Sequence, residues 1–231
     1  PGTRVVDYGP DAVIVPGFVL VDSGIGSTRA SDRTADLSLR GIDHFDPYTT
    51  YTRSLAAGVT SAYIAPARRR LIAGQGAVVK LAGEDPRARV LSDSAAIQGS
   101  IASDARNTPG YWEPPIPATV DVGMGVEQPQ LPRSTMGAIV ALRELIAYAA
   151  GGEGAEEYGD RVGPELAELI DAKRTWRMRA DEVSEVRALV GFFAENGLPL
   201  VVESDDSAAE LAEELKAGGF SVVLHDQFRP G

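Results

Sequence analysis

Three consecutive arginines, Arg68, Arg69 and Arg70, stand between two apolar runs, and Gln75 and Lys80 follow closely. The flanking runs, Val59 to Ile64 and Ala77 to Leu81, have strand character. The arginines therefore fall in a loop at a strand end, where α/β proteins keep their chemistry. With the backbone N–H groups of Gly74 and Gly76, these side chains have the composition of a small anion site. The same charge run also reads as a solvated face, or as a contact for an adjacent subunit. The two histidines, His44 and His225, have no second histidine at ligand spacing and no serine in a GxSxG motif. They read as exposed or locally bonded. The chain has no cysteine, which excludes disulfides, thiolate metal sites and cysteine nucleophiles.

These residues need strands and helices to position them. Val13 to Val21 is nearly all apolar, as in a strand buried on both faces, with a kink at Pro16-Gly17. Ser23 to Arg40 is polar and reads as a long loop. Asp46-Pro47 has the pattern of an N-cap followed by proline, opening a helix to about Ala57 that Gly58 stops. With the strand from Val59 to Ile64, this makes one βαβ unit. Residues 107–133 are rich in proline and predict a loop excursion, pinned to the body by Tyr111 and Trp112. Ser134 caps a helix whose apolar face runs from Met136 to Ala149. A solvated connection from Gly151 to Gly159 follows, then a helix opened by Pro164. Thr175–Arg179, Leu198–Val202 and Phe220–Leu224 read as strands. Between them lie a helix capped by Asp181 and another from Asp206 to Ala217. This alternation predicts a parallel sheet with outer helices, either a partial (β/α)8 barrel or an open doubly wound sheet.

Length and composition set limits. A chain of 231 residues with 44% hydrophobic residues can build one core domain. A net charge of −11 disfavours nucleic acid and anionic membrane surfaces as partners. The longest apolar run is too short to span a bilayer. The abrupt start at Pro1 and the stop after a strand-like run make the chain read as a segment of a longer protein, and the compartment stays open.

Four stretches resemble the amidohydrolase superfamily, in its imidazolonepropionase-like branch. They are Val15-Pro16-Gly17-Phe18-Val19, the long run from Gly58 to Leu81, Ser134-Thr135-Met136-Gly137, and Arg179-Ala180-Asp181 through Val202-Glu203. They are similar to the family's "PGLID", "GVTT…GGQGAVVKL", "STRMG" and "HAHRADD…LVLEH" segments, and they occur in the same order. The resemblance implies a single amidohydrolase-like domain over residues 1–231: a TIM-like (β/α)8 barrel, α/β, with its eighth strand beyond this chain. It also implies zinc or another divalent metal in active relatives, where the metal generates the hydroxide that attacks a C–N bond.

The ligand positions implied by the resemblance are substituted here. Asp22 and Gly24 fall at the first His-x-His, Trp176 and Met178 on the fifth strand, and Ser204 on the sixth. None except Asp22 offers a donor suited to a hard cation. The expectation is therefore a domain with no catalytic residues and no cofactor of its own. It would be a structural or regulatory barrel beside an active amidohydrolase-like barrel, or beside the rest of its parent chain. The alternative is an active hydrolase on non-peptide C–N bonds with ligands supplied from outside the segment. A lower alternative is a small anion-binding module using Arg68, Arg69, Arg70, Gln75 and Lys80. Loss of the metal that the resemblance implies leaves carboxylates in the barrel mouth uncompensated, so some of Asp22, Glu203 and Asp205 should be ion-paired, with Arg179 and Arg177 as candidate counter-ions.

Overall fold

The computed structural model describes residues 6–26, 30–113, 126–128, 130–152 and 162–225. The first half of the chain contains β1 (Phe18–Leu20), α1 (Thr52–Ala56), β2 (Val59–Ile64), β3 (Ile72–Lys80) and β4 (Val90–Ser100). A separate pair, β5 (Tyr111–Glu113) and β6 (Val126–Gln128), comes next. The second half runs α2 (Thr135–Ala149), α3 (Gly163–Asp171), β7 (Thr175–Arg179), α4 (Val183–Asn196), β8 (Leu200–Ser204), α5 (Ala212–Ala217) and β9 (Ser221–Leu224).

Seven strands form one sheet in the order β1-β2-β3-β4-β7-β8-β9. Pairing is parallel for β1 with β2 and throughout β4, β7, β8 and β9. It is antiparallel on both sides of β3, which corrects the expectation of an all-parallel sheet. The link from Ala65 to Leu71 is the reason: a parallel return needs about a dozen residues or more, and so short a link can only turn back. The result is an α/β, curled, mostly parallel sheet with helices, a partial barrel.

Alternation along the strands sorts two environments. Ile97 of β4, Trp176 and Met178 of β7, and Leu200 and Val202 of β8 face the helices, in one core with Leu142 and Leu145 of α2 and Val186, Leu189 and Phe193 of α4. Trp176 meets Phe193 edge-to-face at 5.5 Å, a favoured aromatic geometry. A smaller cluster packs Ala62, Ile64, Ala77 and Val79 of β2 and β3 with Phe45, with Leu55 of α1 against it.

Helix ends follow local chemistry. Ser134 Oγ accepts from Gly137 N at 3.1 Å, as its N-cap position requires. Gly58 has φ +82°, the left-handed residue that ends α1. The cap of α4 is Glu182, in a reciprocal capping box with Glu185, one residue after the expected Asp181. Asp46 does not open a helix. Its carboxylate accepts from Tyr48 N at 2.8 Å and from Thr49, forming a turn, and α1 begins only at Thr52.

The expected doubly buried strand at Val13 to Val21 is instead a short outer edge. Val13, Ile14 and Phe18 are 85%, 83% and 60% exposed, because β1 pairs only with β2 among the described residues. In the proline-rich excursion, β5 and β6 pair antiparallel. Its tether to the body is Gln130, whose amide donates to Asp32 O at 2.6 Å and Pro109 O at 2.7 Å and accepts from Thr34 N at 3.2 Å. The expected stapling by Tyr111 and Trp112 side chains lies outside the described residues, as does the Gly151–Gly159 connection beyond Gly152.

Candidate functional site

The inward faces of the strands converge on a charged interior. Tyr63 of β2, Gln98 of β4, Arg177 of β7 and Glu203 of β8 project there, alternating with the outward apolar residues. Arg68 reaches back into this interior from the loop after β2. Asp22 enters it just beyond β1, and His225 just beyond β9.

Glu203 is completely buried and accepts from three side chains. Arg177 Nε donates to Oε1 at 2.7 Å, while Arg68 Nε at 2.9 Å and Gln98 Nε2 at 3.1 Å meet Oε2. Arg68 also pairs with Asp22, and His225 Nδ1 lies 3.0 Å from the second Asp22 oxygen. His225 Nε2 stands 3.9 Å from Glu203. Arg177 NH1 donates to Val21 O at 2.9 Å, and its guanidinium covers the Tyr63 ring at 3.9 Å from the centroid. The Tyr63 hydroxyl donates to Gln98 Oε1 at 3.0 Å. Gly76 makes room for that phenol: a Cβ there would fall 1.9 Å from the Tyr63 hydroxyl oxygen. The contact of His225 with Asp22 links the ends of the two outermost strands, and Arg177 of the interior strand β7 reaches Val21 just beyond β1.

Two arginines and two carboxylates thus neutralise one another, Glu203 and Arg177 in the buried interior and Asp22 at its partly exposed edge, which is how buried charge is tolerated. Burial raises the Asp22 carboxyl, but the Arg68 hydrogen bond and the charges of Arg68, His225 and Arg177 outweigh it, and the group sits below its ordinary value. Burial lowers Arg68, and its bond to Asp22 and the charge of Glu203 more than reverse that. Burial pushes the Tyr63 phenol well up, so it is a proton donor throughout the physiological range.

Above this interior, at the strand ends, lies a cavity of about 870 Å³. Its lining includes Asp22, Arg68, Arg69, Arg70, Asp104 and Arg179. Arg179 forms a two-point pair with Asp181, both contacts at 2.9 Å, and approaches Asp104 at 3.5 Å.

The expected ion pairing is present for Asp22 and Glu203, with Arg177 a partner and Arg68 an unforeseen one. The Asp205 carboxylate accepts from Ser207 N at 3.0 Å and caps a 3-10 turn. Arg179 pairs with Asp181 and Asp104 instead. Of the proposed anion set, Arg68, Arg69 and Arg70 line the cavity together. Gln75 is buried elsewhere, with its amide donating to Leu37 O at 3.2 Å and Glu165 at 2.7 Å. Lys80 is exposed at the far end of β3. Gly74 and Gly76 lie within that strand, so they form no loop around an anion.

Trp176 and Met178 do not face the interior at all. They are completely buried on the outward face, and the inward positions of β7 are Arg177 and Arg179. A one-residue offset exchanges the two faces of a strand. Ser204 shares the outward parity of Val202, which leaves Glu203 as the inward residue of β8. His44 is exposed, as expected, but His225 is bonded across the sheet rather than locally. Its partner Asp22 lies too far away in sequence for spacing to reveal the contact. The only signal was its position just past the last strand, where strand ends converge.

These residues do not fit the divalent centre that the resemblance implies. Gly24 has no donor, Trp176, Met178 and Ser204 point away, and the two inward carboxylates already hold guanidinium groups. Among the described residues no group of three His, Cys, Asp or Glu side chains is placed to hold a metal ion.

Among solved structures, an amidohydrolase from Thermotoga maritima MSB8 has a similar fold, with a TM-score of 0.65 at 23% sequence identity. The similarity covers 100% of this chain and 64% of that one, so the chain spans 64% of its neighbour's length. No protein-family model matches the sequence, and no curated protein matches it.

Proposed function

We propose that this chain is an amidohydrolase-like domain, of the imidazolonepropionase-like branch, that has no metal-hydrolysis centre of its own. It serves as a structural or regulatory partner to an active barrel, or to the rest of a longer parent chain. The observation that carries this reading is the interior at the strand ends. Arg68 and Arg177 hold Asp22 and Glu203 where a hydrolytic centre of this fold would need open metal ligands. The fold likeness to the Thermotoga amidohydrolase supports the relationship. The outward turn of Trp176 and Met178, with Arg177 and Arg179 at the inward positions of β7, supports the same reading.

A second reading, a hydrolase of C–N bonds completed from outside the segment, has one observation in its favour. His225 lies 3.0 Å from Asp22 and 3.9 Å from Glu203, which places one imidazole beside two carboxylates. Elemental analysis after zinc or manganese loading separates the readings. The segment is expected to stay substoichiometric in metal while an active parent or partner binds about one or two ions. Stoichiometric metal in the segment alone would overturn the first reading, and loss of the parent's metal and cyclic-amide turnover on Asp22→Asn or His225→Ala would establish the second.

A further inference from the structure

The cavity at the strand ends has a charge balance opposite to that of the whole chain. Its lining carries four guanidinium groups, Arg68, Arg69, Arg70 and Arg179, against two carboxylates, Asp22 and Asp104. The protein's net charge is −11. A positive concavity on an acidic protein focuses small anions and repels large polyanions.

Not all four cations are committed. Arg68 is held by Asp22 and Glu203, and Arg179 by Asp181. Arg70 is buried and fixed by backbone carbonyls, with Nε donating to Ser31 O at 2.6 Å and NH1 donating to Arg69 O. Arg69 is 72% exposed, and among the described residues its guanidinium meets only Asp104, at 4.0 Å. Asp104 hangs between Arg69 and Arg179, at 4.0 and 3.5 Å through the same oxygen. Its other oxygen is buried and has no hydrogen-bond partner among the described residues. A settled guanidinium–carboxylate bond is about 2.7–2.9 Å. Asp104 is therefore near two cations and closed on neither.

We infer that the Arg69, Arg70 and Arg179 wall of this cavity binds a small organic carboxylate, and that Asp104 fills part of that site until the ligand displaces it. A cavity of about 870 Å³ is within the roughly 300–1,000 Å³ usual for small-molecule sites. Ala65, Pro66, Ala67 and Pro109 give its wall apolar surface for a hydrocarbon body. The planar fork of arginine suits a carboxylate through two parallel bonds. This inference does not depend on whether the interior once held, or still holds, a metal.

The test is calorimetric and thermal-shift titration with succinate, with inorganic phosphate as a parallel probe. Both run in EDTA at fixed ionic strength, on the wild-type chain, Arg69→Gln and Asp104→Asn. Succinate is expected to bind saturably and raise the melting temperature. Arg69→Gln, whose side chain is largely in solvent, should keep the ligand-free melting temperature and lose tenfold or more in affinity. Asp104→Asn should tighten succinate binding severalfold. Lack of saturable binding in both wild type and Asp104→Asn overturns the proposal, as does equal affinity in Arg69→Gln. Phosphate binding as tightly as succinate with the same Arg69 dependence overturns the carboxylate assignment. EDTA keeps these outcomes separate from the metal-loading result.

Discussion

The buried interior and the cavity wall above it are built from the same residue types and behave oppositely. Inside, Glu203 has three donors and Arg177 and Arg68 each reach a carboxylate, so every charge has a near partner. On the wall, Arg69 and Asp104 remain 4.0 Å apart, with Arg69 largely in solvent and Asp104 partly so. Arginine next to a carboxylate is therefore no guide to role by itself. Depth and closure decide whether the pair belongs to the architecture or is available to a ligand.

Removing Glu203 should break the interior most severely. Glu203→Ala leaves Arg177 uncompensated away from water and Arg68 with Asp22 alone, and should cost about 3–5 kcal/mol, measured as a fall in the urea midpoint at pH 7. A loss comparable to that of a surface pair would mean that the interior is as wet as the wall, and the contrast would disappear. Next is Gly76→Ala, whose new methyl meets the Tyr63 phenol. Displacing a buried ring that also carries Arg177 should cost about 1–3 kcal/mol in the same assay.

Asp22 lies between the two regions, its side chain 36% exposed, so its effect is smaller and depends on pH. Its folded carboxyl is held below the ordinary 3.8, so the unfolded chain takes up this proton first as pH falls. The stabilisation is complete above about 3.8 and is lost as pH drops through the lower folded value. Asp22→Asn should cost up to about 1 kcal/mol at pH 7 after solvent screening, with the gap to wild type closing in acid. A gap that persists at pH 3 would assign the effect to something other than this charge. Smallest is Arg69→Gln, expected within about 0.5 kcal/mol of wild type by urea unfolding. A larger loss would move Arg69 from the wall into the architecture.

Much of the second half of the fold was legible because strand and helix periods there are clean. Thr175–Arg179 is the strand expected, and Ser134 and Gly58 act as the cap and the stop they resemble. The face of β7 was not legible from the motif. Aligning to a His-x-His pattern placed Trp176 and Met178 inward, whereas burial against α4 places them outward and leaves Arg177 inside. The alternation of bulky apolar and charged residues in Thr175–Arg179 was a usable signal, since large apolar side chains go to the helix-covered face. The apolar run at Val13 to Val21 misled in a different way, because hydrophobicity does not report whether a strand has neighbours on both sides. The role of His225 depends on a partner near the other end of the chain, which no local pattern encodes.

The contact of Arg177 with Val21 O spans 156 residues and has a kinetic consequence. Loop closure over that distance carries an entropic cost that local pairing does not, and non-local contacts slow folding. During synthesis β1 is made first, yet the side chains that draw it in, on β7 and just after β9, are made last. The curl can therefore tighten only after nearly the whole segment has emerged. Until then the β1 edge, which carries the exposed Val13, Ile14 and Phe18, is also unanchored at its end, and a second unfinished chain can meet it.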